Sequence, residues 1–155
     1  MKRIVKLFLL FPALLGCKSL DEVYQGDKII LQYYEGGEIV ICTVEDAYEK
    51  VLTNKQDGAF FICDETLIPC VELRTEIALW TQRNNALIYE IDFTTINESN
   101  SELLIEMTEG YYQWSEKVSI PCVYFFKEGQ TKMRSDATNT TTYLNRYIEV
   151  NKPEN

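Results

Sequence analysis

The chain has no histidine among its 155 residues. That absence removes serine and cysteine triads built on a histidine base, and most zinc sites. Basic residues are scarce as well: 15 Lys and Arg stand against 24 Asp and Glu, for a formal net charge of −9. No basic patch forms against such a field, so nucleic acid and anionic headgroups are excluded as partners. None of the five cysteines forms a CxxC pair, which with the missing histidine argues against a bound metal. No cofactor-binding motif is present, and no cofactor is expected. The chain has only one long apolar block, residues 7–15, and a helix needs roughly 20 apolar residues to span a membrane.

That block has a different use. Lys2, Arg3 and Lys6 precede it, and the small Gly16 follows it directly before Cys17. A basic front, a short apolar block and a small residue at the end are the anatomy of a signal peptide. Leu14-Leu15-Gly16-Cys17 resembles the lipobox of bacterial lipoproteins, which implies cleavage after Gly16 and a diacylglycerol on the Cys17 sulfur. Residues 1–16 are therefore read as the signal, 17–37 as the lipidated cysteine and a tether leading into an early strand, 38–150 as the folded domain and 151–155 as a tail. The expected location is the extracytoplasmic face of the cell membrane, where the lipid holds a soluble domain to the surface. Removing the first 16 of 155 residues leaves 139 and shifts the charge from −9 to −12. That length suits one domain.

Strand and helix patterns alternate along the folded part. Residues 38–43 are short and β-branched, and 44–52 carry helical spacing through Val44, Ala47, Tyr48, Val51 and Leu52. Residues 54–58 read as a turn and 59–63 as a wholly apolar strand of the kind buried on both faces. Pro69 suits a helix start, with 70–84 continuing and Val71, Leu73, Ile77, Ala78 and Trp80 on its buried side. Residues 86–94 read as a strand, 97–101 as a loop and 102–113 as a helix. A strand follows at 123–126, then a turn at Glu128-Gly129, a short strand at 131–134 and a final helix over 139–150. The order predicts an α/β fold with a mixed central sheet flanked by helices and an N-terminal extension.

Ile120-Pro121-Cys122-Val123-Tyr124-Phe125-Phe126-Lys127-Glu128-Gly129 resembles the thioredoxin segment in which a cis-proline opens a strand ending in Phe, Lys, a polar residue and Gly. Residues 59–63 with the loop to Cys70 resemble the strand and active-site loop of the same family. Within it, the chain is most similar to bacteriocin transport accessory-type proteins, over roughly residues 38–150. The resemblance implies a thioredoxin-like fold with Pro121 as the cis-proline. It also marks a departure: aligning Pro69-Cys70 with the end of the family CxxC puts Leu67 on the nucleophilic cysteine and Cys70 on the resolving one. The family's buried acid falls on Phe60. The fold further implies that Cys63 and Cys122 are neighbours across the sheet, with Cys70 and Cys122 as a competing pair.

Two functional classes follow. One is thiol-disulfide exchange with exported clients through Cys70 and either Cys122 or Cys63, beside Pro121. The other is a catalytically inactive thioredoxin fold that binds an exported peptide or a secretion partner in the groove beside Pro121, with Tyr33, Tyr34, Tyr111, Tyr112 and Trp114 extending the surface. Spacing alone does not choose among two disulfides, one disulfide or four buried thiols for Cys42, Cys63, Cys70 and Cys122. A hydrolase using Asp64 and Glu65 ranks third, because adjacent loop carboxylates are ordinarily solvated.

Overall fold

The computed structural model describes residues 24–109 and 120–154. The expected signal and Cys17, and Tyr111, Tyr112 and Trp114 of the expected aromatic surface, lie outside the described residues. Among the described residues, seven strands and four α-helices alternate: β1 (Ile29–Gln32), β2 (Glu38–Cys42), α1 (Val44–Tyr48), β3 (Gly58–Cys63), α2 (Ile68–Asn84), β4 (Leu87–Asp92), α3 (Glu98–Met107), β5 (Cys122–Lys127), β6 (Gln130–Asp136), α4 (Thr140–Tyr147) and β7 (Ile148–Asn151). The main sheet has the order β2-β4-β3-β5-β6. The first three of these strands run parallel, whereas β5 is antiparallel to β3 and β6 to β5. The expected mixed α/β sheet is therefore what the chain forms.

β3 occupies the centre because Gly58-Ala59-Phe60-Phe61-Ile62-Cys63 offers apolar side chains to both faces, and all six residues are buried. Its odd-numbered residues Ala59, Phe61 and Cys63 pack with Leu73, Ile77 and Trp80 of α2 and Tyr143 and Leu144 of α4. Phe60 and Ile62 pack on the other face with Val44 and Ala47 of α1 and Leu104 and Met107 of α3. Val71 and Ala78 depart from the expected helix side: Val71 is exposed and Ala78 half-buried, because α2 turns Leu73, Ile77 and Trp80 inward instead.

Several boundaries also moved. The loop expected at 97–101 is the start of α3. Asn97 caps it by accepting hydrogen bonds from the Ser99 and Asn100 backbone amides, while the Asn100 side chain accepts one from the Asn97 amide. This reciprocal box satisfies donors that a helix start leaves orphaned. The helix ends at Met107, short of the expected 113. α1 gives way to a π-helical turn at Glu49–Thr53, the strand expected at 86–94 yields to a 3-10 turn at Phe93–Thr95, and β6 runs longer than 131–134.

The final helix stops at Tyr147, and β7 runs parallel to β1 from Ile29 opposite Ile148 to Gln32 opposite Asn151. Pairing with the early strand takes those last residues from the helix. The packed body also reaches into the stretch read as tether, since Tyr24 is buried with its ring edge-on to Tyr147 at 5.7 Å. The Gly36-Gly37 turn is fixed by contact: Gly37 has φ +68°, and a Cβ there would lie 2.1 Å from the Thr81 carbonyl oxygen.

Candidate functional site

The C-terminal end of β3, the first turn of α2 and the start of β5 meet at one end of the sheet. The connection from β3 to α2 is ordered locally. The Asp64 carboxylate accepts from the Thr66 amide at 2.9 Å and the Thr66 hydroxyl at 2.6 Å, and the Leu67 amide donates to the Asp64 carbonyl at 3.0 Å. The Thr66 hydroxyl and amide hold the Asp64 carboxyl below the usual carboxylate range, so Asp64 does not serve as a proton donor near neutrality.

Leu67 then takes the N-cap position with extended backbone and no side-chain cap. Pro69 fits the first turn because its missing N–H would have had no helical partner there. Leu67 is 38% exposed and Ile68 74%. The place that the resemblance gives to a nucleophilic cysteine thus carries an exposed leucine, followed by an exposed isoleucine.

Cys63 and Cys70 lie beneath this tip. Cys42, Cys63, Cys70 and Cys122 are all free and all buried. Cys63 Sγ lies 3.9 Å from the Cys70 carbonyl oxygen, and the Asp64 amide donates to Cys70 Sγ at 3.2 Å. The two sulfurs therefore share one junction. Burial pushes the Cys63 thiol far above its ordinary value, the Cys70 thiol and Glu90 add to the rise, and Arg74 opposes it. Burial likewise raises Cys122, against the pull of the Tyr124 hydroxyl and Arg134. Cys42 is pushed up to about 12, chiefly by burial and further by Asp46.

The expected neighbours Cys63 and Cys122 do not meet. Cys122 sits opposite Ile62 in the β3–β5 ladder, so its side chain joins the α1–α3 face, while Cys63 belongs to the α2–α4 face. A shift of one residue along a strand reverses the face. For the same reason Cys70 packs with Cys63 and not with Cys122, although Cys70 is close enough to act on the Cys122 thiol electrostatically. Pro121 follows a cis peptide bond from Ile120, as the resemblance implies, and is buried immediately before β5.

Two charged side chains beside the thiols escaped the sequence reading. Glu90, on β4, has only 2% of its side chain exposed, and Arg74 of α2 holds it through two guanidinium nitrogens: Nε to Oε2 at 2.9 Å, and Nη2 to Oε1. Glu90 stands opposite Phe61 in the β3–β4 ladder, on the face of Cys63 and Cys70. Phe60, given the place of the family acid, instead faces α1 and α3, where it stacks on Tyr89 at 4.9 Å. A carboxylate thus lies close to the thiols, but it comes from the next strand. A lone Glu inside Leu87-Ile88-Tyr89-Glu90-Ile91 was the available signal, since a charge on a central strand has to find a partner.

Tyr33 and Tyr34 do not extend this surface. Tyr33 bridges Ala86, just before β4 begins, whereas Cys63 stands opposite Asp92, where β4 ends. The two tyrosines are therefore at the far end of the sheet. A shallow groove of about 270 Å³ does adjoin the tip, lined by Pro69, Glu72, Leu73, Glu76, Ala137 and Thr138.

No protein-family model matches the chain, and neither does any curated protein. Solved structures do. Thioredoxin O1 of Arabidopsis thaliana is 17% identical with a TM-score of 0.53, over 73% of this chain and 99% of that one. A mutant thioredoxin of Halobacterium salinarum is 13% identical at 0.52, over 74% and 95%. Spinach chloroplast thioredoxin F is 13% identical at 0.52, over 71% and 84%. The fold is thioredoxin-like. Identity this low carries the fold and leaves the chemistry to the site itself.

Proposed function

We propose that this chain is a lipid-anchored, extracytoplasmic thioredoxin-fold protein that binds an extended segment of an exported client or secretion partner and does not turn over disulfides. One observation carries the reading: the exposed tip of α2 presents Leu67 and Ile68, while every described thiol is buried. Attack on a disulfide needs an accessible thiolate, burial works against access for all four thiols, and it also disfavours ionisation of Cys42, Cys63 and Cys122. The anchor rests on the basic, apolar and Gly16-Cys17 pattern of the first 17 residues. Glu72 and Glu76 beside the tip favour a segment that combines apolar with basic residues.

The closeness of Cys63 and Cys70 favours a second reading, exchange through that pair. The two readings separate in one experiment. The mature protein is tested for binding to a panel of extended peptides and for reduction of a protein disulfide such as insulin, alongside Ile68→Asp and Cys70→Ser. A binding module binds a peptide, loses it on Ile68→Asp, keeps it on Cys70→Ser and leaves insulin intact. Insulin reduction that disappears with Cys70→Ser would overturn the reading.

A further inference from the structure

We propose that Cys63 and Cys70 form a disulfide site that closes while the chain folds and is sealed in the core afterwards. Cys63 ends the central strand and Cys70 sits in the first turn of the helix that follows, so a short connection brings the two sulfurs to one junction. The Asp64 amide fixes Cys70 Sγ there at 3.2 Å, and Cys63 Sγ reaches the Cys70 carbonyl at 3.9 Å. The other two described cysteines have no such opportunity, because Cys42 and Cys122 lie on the opposite face of the sheet and on strands separated from each other by β4 and β3.

Burial sets the order of events. In the folded protein both thiols are enclosed, and an oxidant in solution does not reach them. In the unfolded chain both are exposed, and the residues between them are few enough to close readily. A disulfide RS–SR from the medium, either low-molecular-weight or on a folding catalyst, is attacked by one cysteine thiolate. One RS⁻ leaves and a mixed disulfide forms. The second cysteine then attacks the protein sulfur of that mixed disulfide, and a second RS⁻ leaves. Both leaving thiolates take up the protons released by the two cysteines. The protein loses two electrons and two protons, and one RS–SR becomes two RSH. Subsequent packing of Leu73 and Ile77 against β3 encloses the bond.

The consequence is mechanical. The bond would tie down the loop that carries Leu67 and the base of the turn that carries Ile68. Only the use of that tip for binding rests on the proposed function; the disulfide itself does not.

The test uses the full chain exported by a bacterial host, solubilised in detergent, denatured without reductant in the presence of iodoacetamide and mapped by mass spectrometry. The expected result is a linked Cys63–Cys70 pair lighter by two hydrogens, with Cys42 and Cys122 alkylated. The same link is expected after the reduced, denatured chain is refolded in a mixture of reduced and oxidised glutathione. In the native protein the bond should resist reduced glutathione and open once denaturant is added. Four alkylated thiols after oxidative refolding, or a link to Cys42 or Cys122, would overturn the proposal. Rapid opening in the native protein would overturn the sealed state and favour exchange. The double variant Cys42→Ala/Cys122→Ala serves as a second check: it also trims buried side chains, so it is read by the link itself and not by stability, and it should keep the link. None of these readouts depends on whether a peptide binds.

Discussion

The two faces of the central sheet treat their cysteines differently. On the α1–α3 face, Cys42 and Cys122 stand on strands separated by β4 and β3, embedded among Phe60, Ile62, Tyr89 and Ile91. There Cys42 packs as a small apolar side chain, and Cys122 has the Tyr124 hydroxyl and Arg134 as polar neighbours but no second thiol beside it. On the α2–α4 face, Cys63 and Cys70 adjoin one another above a buried carboxylate and its arginine. The residue type is the same on both faces, and register decides which cysteine gains a chemical neighbour. Which strand cysteine shares a face with Cys70 is thus a matter of strand parity more than of distance along the chain.

The largest effect that separates the faces should come from the ion pair. Arg74→Ala leaves Glu90 buried without its counter-charge, and breaking a buried pair in this way costs up to about 3–5 kcal/mol. Arg74 is a third exposed, so about 3 kcal/mol is expected, at the low end of that range, read as a lower midpoint in urea unfolding. Removing both charges in Arg74→Ala/Glu90→Gln should recover much of that loss. If the double variant is no better than the single one, the pair is not what holds this face together. The next effect belongs to the thiols above the pair: oxidising Cys63 and Cys70 closes a loop of about eight residues, which stabilises by about 2.5 kcal/mol on the chain-entropy account. An unfolding midpoint that is the same in reduced and oxidised protein would remove this distinction between the faces.

Buried thiols on both faces should respond to alkaline pH, because Cys63 and Cys122 are raised as well as Cys42, and Cys42 is the one for which a pH window can be stated. Cys42 is raised from 9.0 to about 12 in the folded state. A group with a raised folded pKa contributes stability that is complete below the unfolded value and is lost as pH climbs toward the folded one. Stability should therefore fall from about pH 9 to about pH 12, by at most roughly 1.4 kcal/mol per pH unit for one thiol. Cys42→Ala should flatten that slope while leaving a small cavity, which costs about 1 kcal/mol at neutral pH. An unchanged slope would mean that other groups carry the alkaline loss.

Much of this was legible beforehand because it depends on local chemistry. The continuous apolar run of β3, the Pro69 helix start and the Glu128-Gly129 turn each declare themselves within a few residues, and both turn residues do take positive φ. What escaped was set by pairing. Nothing local in Ile148-Glu149-Val150 says that β1 will draw it into a strand, and it was read as the end of the final helix. The candidate site divides in the same way. The tip with Leu67 and the cis bond before Pro121 followed from matched segments, but placing Phe60 and Cys122 on the α1–α3 face, away from Cys63 and Cys70, needed a register that sequence does not supply. Glu90 was visible as a charge in an apolar strand, while its partner on α2 became evident only in three dimensions.

The smallest expected effect on stability tests the comparison at its exposed edge. Ile68 is 74% exposed at the start of α2, so Ile68→Asp removes little buried area, and a carboxylate in the first helical turn interacts favourably with the backbone amides there. The unfolding midpoint should move by no more than the equivalent of about 0.5 kcal/mol. A stabilising interior does not need an isoleucine at that position, whereas a docking surface does, because apolar area left in water contributes only when a partner covers it. Neutral stability together with lost peptide binding would separate the exposed tip from the core beneath it. A midpoint lowered by the equivalent of more than about 2 kcal/mol, the scale of a buried side chain, would instead show that Ile68 is packed in solution, and the α2 tip would lose its claim to be the binding surface.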